Sequence, residues 1–146
     1  MVVVAIIGLL ASIILVSVGS ARDKARRAKV SEDFFQIRNA IEMARNAQDK
    51  VLLRITGSGC SDCACRDDVD LSNPDAACIA SMTNFFNKIN LPLVKDPWGS
   101  PYLMDENESE TPLDPCRRDG LRSAGPDRFF GNSDDIYLAI PFYLCF

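Results

Sequence analysis

The sequence predicts an α+β fold, a long N-terminal helix carrying a small antiparallel sheet, and three observations lead to it. Val2 to Val18 is an apolar run without charge, broken only by the hydroxyls of Ser12 and Ser17. From Ser20 the apolar residues continue at helical spacing, with no helix breaker, to about Ala47. The second half of the chain then alternates short extended segments with Gly, Pro and Asp clusters, the pattern of strands and turns. Of the 146 residues, about 125 remain beyond the apolar run, enough for one compact head.

A helix over Val2 to Val18 is apolar around its whole circumference, so it needs a dry environment on every side. At 1.5 Å per residue its 17 residues span about 25 Å, slightly less than a ~20-residue membrane crossing. Gly8 offers a point of close helix approach. From the residues alone, two readings stay open: a cleaved secretory signal, with small residues from Ser17 to Ala21, and a plain single-span anchor; a third comes from the resemblance given below.

Beyond Ser20 the helix becomes amphipathic. Ala21, Ala25, Ala28, Val30, Phe34, Ile37, Ile41 and Ala44 form a predicted stripe, with Arg22, Lys29, Glu32, Arg38, Glu42 and Arg45 at other positions. Val51 to Ile55 reads as a short strand or a helical tail, and Gly57 to Gly59 breaks it. Cys60 to Asn73 is a polar, cysteine-rich loop containing Asp62, Asp67, Asp68 and Asp70. A second helix is predicted with Asn73 as cap and Pro74 in its first turn, an apolar face of Cys78, Ile79, Met82, Phe85, Phe86 and Ile89, and an end at Asn90 and Pro92. Asp96 to Tyr102 reads as a tight turn, and strands are expected at Tyr102 to Met104, Leu121 to Ser123 and Ile136 to Ile140. The acidic run Asp105 to Glu110 reads as a solvated loop.

Net charge is -4 and the pI near 4.8, which argues against a nucleic-acid binder. A basic band of Arg22, Lys24, Arg26, Arg27 and Lys29 against Asp23 follows the apolar run. It is expected to meet lipid headgroups, or the acidic loop Asp105 to Glu110 of a neighbouring subunit. The positive-inside rule would put the chain after this band in the cytoplasm. Six cysteines in a small domain without histidine point instead to an oxidising compartment, and so to a head outside the cytoplasm. Four thiolates from Cys60, Cys63, Cys65 and Cys78 could form a metal cluster, but neither a second C-x2-C pair nor a histidine completes a zinc pattern. Disulfides are the expectation: Cys116 with Cys145, and the remaining four within the loop and second helix. The absence of histidine excludes His-based triads, and no nucleophile elbow is present, so no enzyme is expected.

Met1 to Ser12 (MVVVAIIGLLAS) resembles the N-terminal signature of the type IV pilin family, which includes the type II secretion pseudopilins. Asp96 to Tyr102 (DPWGSPY) and Ser123 to Ile136 (SAGPDRFFGNSDDI) resemble the C-terminal half of major pseudopilins. The cysteine-rich segment Gly57 to Cys78 lies outside the resemblance. It implies the pilin fold, a small antiparallel head on a long helix, here stapled by disulfides. It also implies a basic leader, a processed residue and a glutamate upstream of Met1. The subunit would sit in the cytoplasmic membrane with its head outside the cytoplasm, then pass through pilus or secretion assembly machinery into a homo-oligomeric helical filament, extracellular in the case of a pilus. Residues 1–20 would form the membrane and filament-core half of the helix, with Val2, Val3, Val4, Ile6, Ile7, Leu9, Leu10, Ile13, Ile14 and Leu15 as interface, and residues 21–146 the head.

A type II secretion pseudopilin is the nearest alternative to a pilus subunit, and a membrane-tethered extracellular binding module the more distant one. Members of the family hold calcium in the second of these loops. Ser123, Asp127, Asn132, Asp134 and Asp135 supply hard oxygen donors here, with Gly125 and Gly131 free to turn carbonyls inward. Arg128 stands where the family commonly has glycine.

Overall fold

The structure, a computed structural model, describes residues 2–66 and 70–145, with side chains from residue 18 onward. It consists of α1 (Val2–Gln48), α2 (Leu52–Thr56), a 3-10 turn at Cys63–Cys65, α3 (Ala76–Lys88), β1 (Leu103–Asp105), β2 (Gly120–Ser123) and β3 (Ile136–Ala139). The strands form one antiparallel sheet in the order β1-β2-β3, with Leu103 opposite Arg122 and Leu121 opposite Leu138. The α+β fold expected from the sequence is present, a long N-terminal helix with a small antiparallel sheet on its C-terminal half. Val51 to Ile55 is resolved in favour of the helical tail.

The head covers α1 only from Val30 onward. Val30, Phe34, Ile37, Ala40, Ile41 and Ala44 are buried, whereas every residue from Val18 to Lys29 is exposed. The predicted stripe is therefore too long at its N-terminal end. Ala21, Ala25 and Ala28 have the right spacing, but no part of the described head reaches them. The helix ends where Asp49 turns to φ 51°, a left-handed conformation that breaks the α-helical ladder.

α3 starts two residues later than the expected cap. Asp75, not Asn73, is extended and accepts the Cys78 N–H at 2.7 Å, satisfying one of the free donors of the first turn. Its apolar face then carries Cys78, Met82, Phe85 and Phe86 into a core shared with Phe34 and Ile37 of α1, Leu103 and Met104 of β1, and Leu121 of β2. Each such side chain removed from water contributes about 1.5–3 kcal/mol. Phe85 and Phe86 meet edge to face with ring centroids 5.0 Å apart, and Phe34 tilts against Tyr102 at 5.5 Å.

The cysteines pair as Cys60–Cys63, Cys65–Cys78 and Cys116–Cys145. The second ties the 3-10 turn to α3. The third joins the C-terminal tail to the loop before β2.

The acidic run departs most from its sequence reading. Glu106, Asn107 and Glu108 are buried, and Asp105 pairs with Arg66 at 3.0 Å. Glu106 accepts the Ser61 N–H at 2.8 Å and the Ser61 hydroxyl. Glu108 accepts the N–H groups of Tyr143, Leu144 and Cys145 and so holds the tail. Only Glu110 is exposed, and it engages Arg117 at 3.1 Å. With Asp105, Glu106 and Glu108 engaged within the head, this loop offers the basic band at Arg22 to Lys29 of a neighbouring subunit one exposed acid, Glu110, rather than the solvated acidic run expected. The hydropathy of the run concealed this, because buried acids need donors that come from elsewhere in the chain.

The principal donor is Arg45, another residue the helical pattern placed outside. It is fully buried, ion-paired to Asp119, 3.6 Å from Glu108 and 3.2 Å from Glu42, and donates to the Pro141 carbonyl at 2.9 Å. Asp119 also accepts the N–H groups of Asn107 and Glu108 at 2.7 and 2.8 Å. One side chain of α1 thus fixes the acidic loop, the start of β2 and the C-terminal tail.

Arg45→Met leaves Asp119 and Glu108 buried without their cation, and is expected to destabilise the head by about 3–5 kcal/mol in urea unfolding. Burial pushes the Glu106 carboxyl up to about 7 and that of Asp62 up to about 6. Because these folded values lie above the unfolded ones, the associated stability is present at about pH 4 and is lost as pH rises through 6 to 7. The melting temperature should therefore be higher at pH 5 than at pH 8, and Glu106→Gln should flatten that difference.

Candidate assembly helix and cation loop

The backbone of α1 is continuous from Val2, so the apolar run forms the far end of the same helix that carries the head. Forty-seven residues at 1.5 Å each give a rod of about 70 Å, of which the part before Val30 projects about 42 Å beyond the head. The side chains of the expected interface, Val2 through Leu15, lie outside the described residues, as do Asp67 and Asp68. Among the residues whose side chains are described, no helix is long and apolar enough to cross a membrane. Val18 is 40% exposed, and the basic side chains of Arg22, Lys24, Arg26 and Arg27 reach solvent around the bare segment.

The two C-terminal motifs are joined to each other. Asp96 folds its own turn by accepting the Trp98 and Ser100 N–H groups, each at 3.0 Å, and its second oxygen accepts the Ser123 hydroxyl at 2.6 Å. Burial raises the Asp96 carboxyl above the usual range, while these hydrogen bonds oppose the rise. Tyr102, at the end of the first motif, donates to Asp33 of α1 at 2.9 Å, and Lys29 pairs with Asp33 at 2.9 Å. Desolvation, with Asp33 beside it, pushes the Tyr102 hydroxyl strongly upward, keeping it a donor at any physiological pH. The first motif therefore clamps the sheet to the helix, and Ser123 is part of that clamp rather than of an open ligand set.

The second motif forms a loop closed by its own polar groups. Asn132 donates to Asp127 at 2.7 Å and accepts the Asp134 N–H at 3.1 Å, and Asp134 accepts the Asp127 N–H at 3.2 Å. Asp135 accepts the Gly131 N–H at 2.9 Å through one oxygen, while the other is buried without a partner. Desolvation raises the Asp135 carboxyl. Asp127, Asn132 and Asp134 are thus brought together, with Asp135 alongside and Ser123 turned away toward Asp96. Each donor is a hard oxygen and the unpartnered Asp135 oxygen leaves acceptor capacity at the loop, the donor chemistry of a hard divalent cation, while the oxygens of Asp127, Asp134 and Asp135 do not all lie within 4.8 Å of one another.

Two backbone details explain the residue choices. Gly125 has φ 67°, and a Cβ there would come within 2.5 Å of the Asp134 carbonyl oxygen, so only glycine admits this crossing. Arg128 takes a left-handed φ of 64°, which accounts for glycine being the common residue at that position of the pattern. Its carbonyl accepts the Leu71 N–H at 3.0 Å, docking the cysteine-rich segment on this loop.

Among the described residues, one set of three cysteine or acidic groups brings its ligand atoms within 4.8 Å of one another, Cys60, Asp62 and Cys63. Its two sulfurs are bonded to each other, so it is not a thiolate metal site.

Sequence reasoning identified the long helix and the two motifs, and it brought Asp127, Asn132, Asp134 and Asp135 together in one loop. It missed Arg45, Asp119, Glu106 and Glu108, whose importance depends on contacts across as many as 96 positions of sequence. No family model matches the chain, and no solved structure matches it. Among curated proteins, it is 29% identical over 138 residues to the type II secretion system core protein G of Escherichia coli (strain K12), covering 93% of this chain and 83% of that protein. The likeness spans nearly the whole chain, and in sequence and in its architecture of a long N-terminal helix with a small antiparallel sheet the chain is similar to the pilin-like proteins that include the type II secretion pseudopilins.

Proposed function

We propose that the chain is a non-enzymatic structural subunit of a pilus-like filament, and within that class a pseudopilin of a type II secretion system. The observation that carries this reading is the division of α1. One half is committed to the head through Val30 to Ala44; the other is uncovered from Val18 to Lys29 and continues as helix into the uncharged run Val2 to Val18. Before assembly the apolar end resides in the cytoplasmic membrane with the head outside the cytoplasm. On assembly it moves from lipid into a bundle of identical rods, where apolar burial at ~25 cal/mol per Å2 supplies cohesion. Residues 1–20 serve the membrane and the filament core, and residues 21–146 form the shell. Likeness to a type II secretion core protein favours the pseudopilin over the surface pilus. Exposed Phe35 and Tyr137, which line a groove between α1 and β3 with Arg38, offer apolar surface for packing between heads.

Calcium is the proposed cofactor of the 123–135 loop. Asp127, Asn132, Asp134 and Asp135 would hold it, and Ser123 would position the loop from behind. The ion would neutralise the three carboxylates and fix the loop against the cysteine-rich segment.

The assembly reading is tested in cells that carry a type II secretion machine. The full chain should appear in sheared filaments, whereas a variant lacking residues 2–20 should be a folded, disulfide-bonded, soluble head absent from them. Entry of the truncated head into filaments, or a full chain that stays in the membrane without assembling, would overturn it, the latter in favour of a tethered module. For the cofactor, calcium at one hundred times its Kd should stabilise the head by about 2.7 kcal/mol in thermal unfolding, and Asp134→Ala should remove the gain. An unchanged melting temperature in calcium and in chelator contradicts it.

A further inference from the structure

The Cys60–Cys63 bridge is placed differently from the other two. It spans 3 positions of sequence, against 13 for Cys65–Cys78 and 29 for Cys116–Cys145, so it restricts the unfolded chain least and contributes least to stability. Cys63 is exposed and Cys60 half-buried, whereas Cys65 and Cys78 are sealed in the core. The turn that bears the bridge is held without it. Asp62 donates its N–H to the Met104 carbonyl at 2.9 Å, Ser61 donates its N–H to Glu106 at 2.8 Å, and the Ser81 hydroxyl donates to the Ser61 carbonyl at 2.6 Å.

Asp62, between the two cysteines, is fully buried. One of its oxygens lies 3.2 Å from the Cys60 sulfur and accepts from Arg66 at 2.8 Å, while the other is buried with no partner. A disulfide sulfur carries no proton, so this contact sets one acceptor against another. It becomes a hydrogen bond only when Cys60 is a thiol or Asp62 is protonated.

We propose that Cys60–Cys63 is a thiol–disulfide exchange site that accepts electrons from a dithiol reductant, with Cys63 as the attacked sulfur and Asp62 serving the released Cys60. The reductant's thiolate bonds to the Cys63 sulfur, and the Cys60–Cys63 bond breaks with its electron pair left on Cys60. The Asp62 carboxyl gives its proton to that thiolate and then accepts the new S–H as a hydrogen bond. The reductant's second thiol, losing its own proton to solvent, attacks the mixed disulfide. This releases Cys63 as a thiolate that is protonated by solvent, and leaves the reductant as a disulfide. Two electrons pass to the chain, and the reverse sequence reoxidises it. Burial, with a smaller push from Asp105, favours the protonated form of Asp62 against Arg66 and Arg122 and raises its pKa to about 6, within reach of proton transfer at neutral pH.

The test uses the full chain in graded dithiothreitol at pH 7, followed by alkylation, mass spectrometry and circular dichroism. Cys60 and Cys63 should be alkylated at roughly tenfold lower reductant than Cys65 and Cys78, with the folded spectrum intact. Asp62→Asn, which keeps an acceptor oxygen but has no proton to give, should slow reduction of this bridge about tenfold and leave that of Cys116–Cys145 unchanged. The double variant C60S/C63S should keep the melting temperature within a few degrees, because the turn is anchored independently. Reduction of Cys60–Cys63 only together with Cys65–Cys78 and loss of fold, a wild-type rate in Asp62→Asn, or unfolding of the double variant would each overturn the proposal.

Discussion

The structure depends on how one continuous helix is shared. From Val30 to Ala44 a single face of α1 is buried beneath the head, and at Arg45 the same helix supplies the cation around which the acidic loop, β2 and the tail are arranged. Apolar burial gives this junction its strength without fixing direction, since greasy faces slide. The guanidinium supplies the direction, because a buried ion pair is favourable only in a narrow geometry and costly in any other. Tyr102 and Asp33 repeat the arrangement one end of the head away, again joining sheet to helix through a buried polar contact. Held at both places, the head cannot rotate about the rod, so its orientation is transmitted to whatever the rod packs against.

That rigidity relates sequence to function. A tether needs only an anchor and a flexible joint, whereas this chain has no helix break between the apolar run and the head, and leaves residues 18–29 uncovered by its own fold. An uncovered helical segment with a basic circumference is suited to surroundings supplied by other molecules, which under the proposed function are lipid headgroups before assembly and neighbouring rods after it. The Cys65–Cys78 and Cys116–Cys145 bridges consolidate a head whose small three-stranded sheet has limited core of its own.

What was legible in the sequence follows from the range of each interaction. α1, α3 and the three strands announced themselves through local periodicity and turn residues, because their signals repeat within a few positions. The cap of α3 was misplaced by two residues because Asn73 and Asp75 are both competent caps and only the packing of the preceding loop decides between them. Ala21, Ala25 and Ala28 looked like core because spacing reports a face without reporting whether anything covers it. Glu106 and Glu108 looked solvated, and Arg45 looked external, because charge is read as exposure unless its partner is known, and the partners lie far along the chain. The loop at 123–135 was legible as a donor set, yet the turning of Ser123 toward Asp96 depended on a contact 27 positions away.

The central claim is that the projecting half of α1 is the part of the molecule made for other copies of itself. A cryo-EM reconstruction of the assembled filament tests it most directly. The account predicts residues 2–17 of adjacent subunits in side-to-side contact along the axis, heads outermost, and each Val30–Ala44 face still covered by its own head. A filament joined through the heads with those rods held apart would contradict it.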